Sequence, residues 1–289
     1  MSRALDRIIW MPTFRCNLRC SYCMARNLPL DKHGEEVAPE RWIEMFNSPD
    51  VEIGHISISG GEPTCYQGLS QVLEGASFRY GIDTNMMSHP SKWLVLNSAG
   101  VCERLTMANM SLHFHPQAAM AEKVFERMRW VTERVQAGRV TLGSTYVVTQ
   151  KDPPGEFPLF CEMLAEKAPG VTAVRGNFGD VYMFRTLVPK WEGTAISCDA
   201  GENSCVVLPD GAVYRCLGHA YFSINQIGNL FRDGWSALMD GSPRCDHLLC
   251  TGCDKAKRQI VDGSGSPTQY LSEFRFRPPI VHLSEDEVV

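Results

Sequence analysis

Three cysteines crowd one short segment, Cys16-Asn17-Leu18-Arg19-Cys20-Ser21-Tyr22-Cys23, with the spacing C-x3-C-x2-C. Three thiolates on one tight loop can ligate three irons of a [4Fe–4S] cube and leave the fourth iron open to a bidentate small molecule. The plainer alternatives are a zinc knot or chance clustering. Structural zinc takes four protein ligands, however, and no fourth partner lies nearby in the sequence. A second thiol-rich stretch carries Cys198, Cys205, Cys216, Cys245, Cys250 and Cys253, while Cys65, Cys102 and Cys161 are scattered between the two.

The compartment decides how those twelve cysteines are read. No run approaches the roughly eighteen apolar residues of a membrane span, and Met1–Arg15 lacks a signal-peptide pattern, so a cytoplasmic protein is expected. A reducing cytosol disfavours disulfides, and clustered thiols there bind metal. The formal charge of -5 argues against nucleic acid as a partner, which needs a Lys/Arg surplus on one face. At 289 residues with 44% hydrophobic content, the chain can bury a sizeable core as one large domain with a small appendage.

The elements that must position the thiols follow from periodicity. Short apolar runs alternate with longer amphipathic stretches, the pattern of βα units and a parallel sheet. Strands are predicted at Ile8–Met11, His55–Ser59, Arg79–Asp83, Leu105–Leu112, Val140–Val148 and Val171–Asn177. Helices are predicted at Pro39–Asn47, Leu69–Glu74, Lys92–Ala99, Ala119–Gln136 and Phe157–Lys167. Six repeats suit a partial barrel better than a closed one of eight strands. The rhythm ends near Leu187–Gly193. Beyond it, Val206–Leu208 and Val213–Arg215 flank Asp210-Gly211 and read as a hairpin. The tail after Asp262 reads as irregular covering structure.

With Tyr22 just before the third Cys, and Ser59-Gly60-Gly61-Glu62-Pro63-Thr64 at the end of the second strand, the sequence resembles the radical S-adenosylmethionine (SAM) superfamily. The resemblance implies an α/β fold, a partial (β/α)6 TIM-like barrel over residues 1–190. It implies a [4Fe–4S] cluster on Cys16, Cys20 and Cys23 that binds S-adenosyl-L-methionine. The Gly60, Gly61 and Glu62 segment then contacts the SAM amino group, and glycines there permit close backbone approach. Polar residues at later strand ends, Thr84-Asn85 and Ser111, touch SAM or substrate in that scheme. Arg175 would pair with the SAM carboxylate. His113 and His115 are better read as histidines satisfied locally. The family mechanism cleaves SAM to a 5′-deoxyadenosyl radical that abstracts a hydrogen atom, after an external donor such as flavodoxin or ferredoxin has supplied an electron.

The second Cys region resembles the auxiliary-cluster domains called Twitch and SPASM. Seventeen residues separate Cys198 from Cys216, with the hairpin between them, and Cys250-Thr251-Gly252-Cys253 completes a set of four. The resemblance implies a small Cys-rich domain at 191–260 holding one auxiliary [4Fe–4S] cluster on Cys198, Cys216, Cys250 and Cys253, followed by a tail at 261–289. A zinc knot on the same four thiols is the alternative. Cys205 is expected to be a buried apolar thiol. Cys245 is left over in a polar stretch, and a free thiol near a radical site can donate a hydrogen atom.

That spare thiol leads to the functional expectation: an epimerase that inverts a C–H centre of a sugar in an aminoglycoside or oligosaccharide antibiotic, with Cys245 as hydrogen donor. Asp31, Glu35, Glu36 and Glu40 form an acidic cluster that would attract a cationic aminosugar. The alternatives are a dehydrogenase of a cyclitol or sugar alcohol and an enzyme that modifies a ribosomal peptide. Many of the latter carry an N-terminal recognition domain, for which a first strand at Arg7 leaves no room, so a separate protein would supply recognition.

Overall fold

The computed structural model describes residues 3–19, 23, 36–88, 92, 98–112, 121–134, 141–148, 156–167, 172–177, 195–198, 203–223, 226–239 and 258–261. Its framework is a nine-stranded sheet. Six of its strands are the predicted ones: β2 (Arg7–Trp10), β4 (Ile56–Ile58), β5 (Tyr80–Thr84), β6 (Leu105–Leu112), β7 (Thr141–Val148) and β8 (Thr172–Asn177). They pair in parallel in chain order, without a switch point. In the first three of them Ile8, Trp10, Ile56, Ile58, Tyr80 and Ile82 are buried, as the inner strands of a helix-covered parallel sheet are. The crossover helices are α1 (Pro39–Phe46), α2 (Leu69–Gly75), α3 (Ala99–Arg104), α4 (Ala121–Arg134) and α5 (Glu156–Lys167).

A helix is predicted over Lys92–Ala99, of which 93–97 lie outside the described residues; the helix described next is α3, which begins at Ala99 after its N-cap Ser98. Arg104 lies in its last turn. Its guanidinium donates to the Gly100 carbonyl at 2.9 Å, the Phe78 carbonyl at 3.3 Å and the carbonyls of Ala76 and Leu73. The last three acceptors lie at the end of α2 and just after it, so the arginine ties α3 to the C-terminal end of α2. Two short strands, β1 (Arg3–Leu5) and β3 (Val51–Ile53), were not foreseen, and they pair in parallel outside the main sheet.

The larger departure lies at the other edge. Strand β10 (Ser204–Val207) pairs in parallel with β2, from Ser204 opposite Arg7 to Val207 opposite Trp10. The hairpin continues through β11 (Ala212–Tyr214), antiparallel to β10, and β12 (Gln226–Asn229), antiparallel to β11. Gly211, at φ +80°, turns the corner, and Asp210 accepts the Ala212 amide at 3.0 Å. Strands from both sides of the expected boundary near residue 190 thus belong to one sheet. The run Cys205-Val206-Val207-Leu208 is apolar on both faces because it is covered on both. After β11 come helix α6 (Leu217–Phe222) and helix α7 (Leu230–Met239). Strands β9 (Ala195–Cys198) and β13 (Arg258–Val261) form a separate antiparallel pair.

Alternation along β2 divides the core. Ile8 and Trp10 face the helices, where Trp10 meets Trp42, Phe46 and Tyr66 at centroid distances of 5.3, 5.1 and 6.2 Å. Cys205 and Val207 share that side. Cys205 is buried as expected, and burial pushes its thiol up to about 12. The opposite face gathers Met11, Phe14, Val206, Leu208, Ala212 and Tyr214, with Cys23 packed against them. Among the described residues no helix is long and apolar enough to cross a membrane.

Val207 lies fully buried between β2 and β11. Val207→Ala removes two methyl groups there and is expected to cost about 2 kcal/mol. Denaturant unfolding followed by tryptophan fluorescence should give one cooperative transition at a lower midpoint, because the hairpin and β2 share one sheet.

Candidate functional site

The segment after β2 reaches Cys16 along a backbone that is held rather than free. The Gly61 amide donates to the Thr13 carbonyl and the Glu62 amide to the Arg15 carbonyl, each at 2.9 Å. The Arg15 amide donates to Thr13 Oγ1 at 2.9 Å. These contacts require glycine. A Cβ on Gly61 would lie 2.3 Å from the Arg15 carbonyl oxygen, and one on Gly60, whose φ is +120°, would lie 2.7 Å from that of Thr13. The close approach permitted by the two glycines is thus to the cysteine loop itself.

The thiol of Cys16 is exposed and that of Cys23 half-buried. The Cys16 sulfur accepts from the Leu18 amide at 3.4 Å and from Asn85 Nδ2 at 3.7 Å. Amide donors aimed at a sulfur suit a thiolate ligand, whose negative charge they offset. Cys20 and Tyr22 lie outside the described residues. Among the described residues no three His, Cys, Asp or Glu side chains gather as a metal site.

Beneath this loop sits Glu62, 1% exposed. Its Oε1 accepts from the Thr64 amide at 3.2 Å, the Thr64 hydroxyl at 2.7 Å and the Thr84 hydroxyl at 2.8 Å. Its Oε2 accepts from the Asn85 amide at 2.8 Å. Ser88 in turn hydrogen-bonds the Thr64 hydroxyl. Burial pushes the Glu62 carboxyl above its ordinary value. The bonds from Thr64, Asn85 and Thr84 pull it back, but burial is the larger effect. The carboxylate thereby ties the end of β4 to the end of β5. The GGE pattern flagged Glu62, whereas nothing local flagged Thr64 or Ser88 as its partners.

Arg15 was also missed. Its guanidinium grips Glu36 at 2.8 and 2.6 Å and the Cys65 carbonyl at 2.9 Å. Glu36, expected in an acidic cluster, is therefore engaged by a cation of the chain itself. Glu40 is exposed on α1, and Asp31 and Glu35 lie outside the described residues.

For the second thiol set the backbone speaks. Cys198 ends β9, directly opposite Arg258 of β13. Cys253 precedes Arg258 by five residues, so chain length alone keeps their Cα atoms within about 17 Å. Cys216 is half-exposed at the start of α6. Because β10 runs parallel to β2 and β11 runs back, Cys216 lies toward the Arg7 end of the sheet. The loop of Cys16 and Cys23 follows the opposite end, so Cys216 is set apart from that loop. Cys245, Cys250, Cys253, His113 and His115 lie outside the described residues, as do the side chains of Cys198, Ser111 and Arg175. The backbones of Ser111 and Arg175 belong to β6 and β8.

Gly61→Ala should push the cysteine loop off the sheet, lowering both thermal stability and the iron bound on anaerobic reconstitution. Glu62→Gln sets an amide donor against the Asn85 or threonine donors, at a cost of about 1–2 kcal/mol. Since the folded carboxyl titrates above its ordinary 4.5, the stability it contributes is full below that value and is lost as pH rises through the raised one. The advantage of the wild type over Glu62→Gln, read from denaturant midpoints, is accordingly largest in acid and shrinks toward neutral pH.

Comparison with known proteins adds the chemistry. A family model, the radical SAM superfamily, matches residues 10–143. A stretch of 77 residues, 26% of the chain, is 34% identical to PqqA peptide cyclase of Rhizobium meliloti (strain 1021) and covers 20% of that protein. Streptococcus suis SuiB bound to precursor peptide SuiA superposes with a TM-score of 0.56 at 14% identity, covering 85% of this chain and 66% of that one. SuiB bound to S-adenosylmethionine gives 0.55 at 13% identity, with 86% and 67% covered. The chain thus spans a fifth of the curated relative and about two thirds of SuiB. A thiol loop at the head of a parallel sheet suits several metals; across that loop and strands β4 to β6 the chain is similar to the radical SAM superfamily.

Proposed function

We infer that this chain is a radical SAM enzyme that modifies a peptide substrate of ribosomal origin. The observation that carries the reading is the convergence of two comparisons of different kinds. The local sequence match is to a peptide cyclase, and the fold match is to an enzyme solved with its precursor peptide. This favours the peptide alternative over the sugar epimerase expected from the sequence.

In this reading Cys16, Cys20 and Cys23 hold the [4Fe–4S] cluster, and the Gly60–Glu62 segment, Tyr22, Ser111 and Arg175 bind SAM. Bound there, the cluster and SAM would supply carbon-radical chemistry for removing a hydrogen atom from the substrate. The residues of the chain orient and shield. Met11, Phe14 and Tyr214 form an apolar floor behind Cys23, which shields that side of the Cys23 thiol from water. Cys198, Cys216, Cys250 and Cys253 hold an auxiliary [4Fe–4S] cluster, a reading supported by the β9–β13 register that draws Cys198 and the chain after Cys253 together. Residues 1–190, 191–260 and 261–289 remain the functional divisions, although the hairpin of the second completes the sheet of the first. Flavodoxin or ferredoxin delivers the electron.

The test is anaerobic turnover with SAM and reductant, in D2O, of short peptides encoded beside the gene, with saccharides in parallel. A peptide product about two mass units lighter means crosslinking, and one about one unit heavier means epimerisation; either supports the reading. Turnover of a saccharide alone, with deuterium gained and lost in Cys245→Ala, would overturn it in favour of the sugar epimerase.

A further inference from the structure

We propose that Asn85 is a positioning residue that raises the reduction potential of the SAM-binding cluster through an amide hydrogen bond to the Cys16 sulfur. The inference rests on the reading of Cys16 as a cluster ligand. An amide has two N–H donors, and here both have acceptors: Asn17 Oδ1 at 2.8 Å and Cys16 Sγ at 3.7 Å.

The orientation of that amide is settled by its other end. Asn85 Oδ1 accepts from the Met87 backbone amide at 2.9 Å. A flipped side chain would set a donor against that donor, so the nitrogen must face the thiol. The Asn85 backbone amide is also taken, by Glu62 Oε2. The residue is 5% exposed, where a hydrogen bond is stronger than in water.

The turn that aims it is costly. Met86 has φ +59°, a left-handed conformation that a side chain of this kind rarely adopts. Its carbonyl accepts from Arg127 Nη1 of α4 at 2.7 Å, and its amide donates to Thr84 Oγ1 at 3.1 Å. A strained backbone held from both sides fixes where its neighbour points. Here the neighbour points at the sulfur of a ligand. An N–H···S bond favours the state with more negative charge on sulfur, which is the reduced cluster. Asn85 thus makes the electron transfer that begins turnover easier.

Asn85→Asp keeps the oxygen that accepts from Met87 and replaces the donor to Cys16 by an acceptor. Asn85→Ala removes both. In the reconstituted full chain, the cluster whose paramagnetic signal changes on adding SAM is titrated against potential. Both variants should load iron as the wild type does. At a fixed potential their reduced-to-oxidised ratio should fall by about tenfold, which is about 59 mV for one electron.

Unchanged midpoints at full iron content in both variants would overturn the proposal, leaving Asn85 a packing role only. Loss of the cluster from both would overturn it as well, making the residue a structural part of the loop. Cys16→Ala separates this from the underlying reading. If that variant keeps the SAM-sensitive signal, the ligand assignment itself fails. If it loses the signal while Asn85→Asp titrates like the wild type, only the role of Asn85 falls.

Discussion

A carboxylate taken out of water must recover its solvation from the protein. Desolvating such a charge costs several kcal/mol even after relaxation, and Glu62 meets that cost with four donors from two strand ends. Two of them, from Thr84 and Asn85, are distant in sequence, so the full network forms only when β4 and β5 lie side by side in register. Once formed, it fixes the direction in which the chain leaves each strand. The cysteine loop rests on the Glu62 segment through backbone bonds, and Asn85 leans on the loop from the β5 side. Local chemistry at the thiols is therefore inherited from a charge buried below them.

The glycines belong to the same constraint. Gly60 and Gly61 look from their composition like a cradle for a ligand. In the structure their first duty is to let two stretches of main chain approach within hydrogen-bonding distance. A side chain at either position would meet carbonyl oxygen before it met any small molecule. Motif residues can thus be indispensable to chemistry because they hold its ligands, and only then because they touch what is bound.

Much of this was legible in the sequence where the determinants are local. Strand β6 was read with its observed limits, Leu105 to Leu112. Cys205 was read as a core thiol from its place in an apolar strand. Long-range determinants were not legible. Arg104 collects carbonyls from around α2, and no periodicity encodes that. Pairing of β10 with β2 escaped notice because adjacency in a sheet has no local signature. Glu62 was flagged by its glycines, while Thr64, Thr84, Ser88 and Asn85 reveal themselves as a set only after folding.

The parallel pairing of Trp10 with Val207 also bears on how the molecule is made. These partners are 207 − 10 = 197 residues apart. At about 5–20 residues per second, the outer edge of β2 waits on the order of 10–40 s after its synthesis for its neighbour to emerge. During that interval an apolar strand stands unpaired, with the open hydrogen-bonding edge that recruits other chains. Contacts of such sequence separation also slow folding after release. Recovery of intact protein from cells should therefore depend on slow translation, low temperature or chaperone supply more than the stability of the finished fold would suggest.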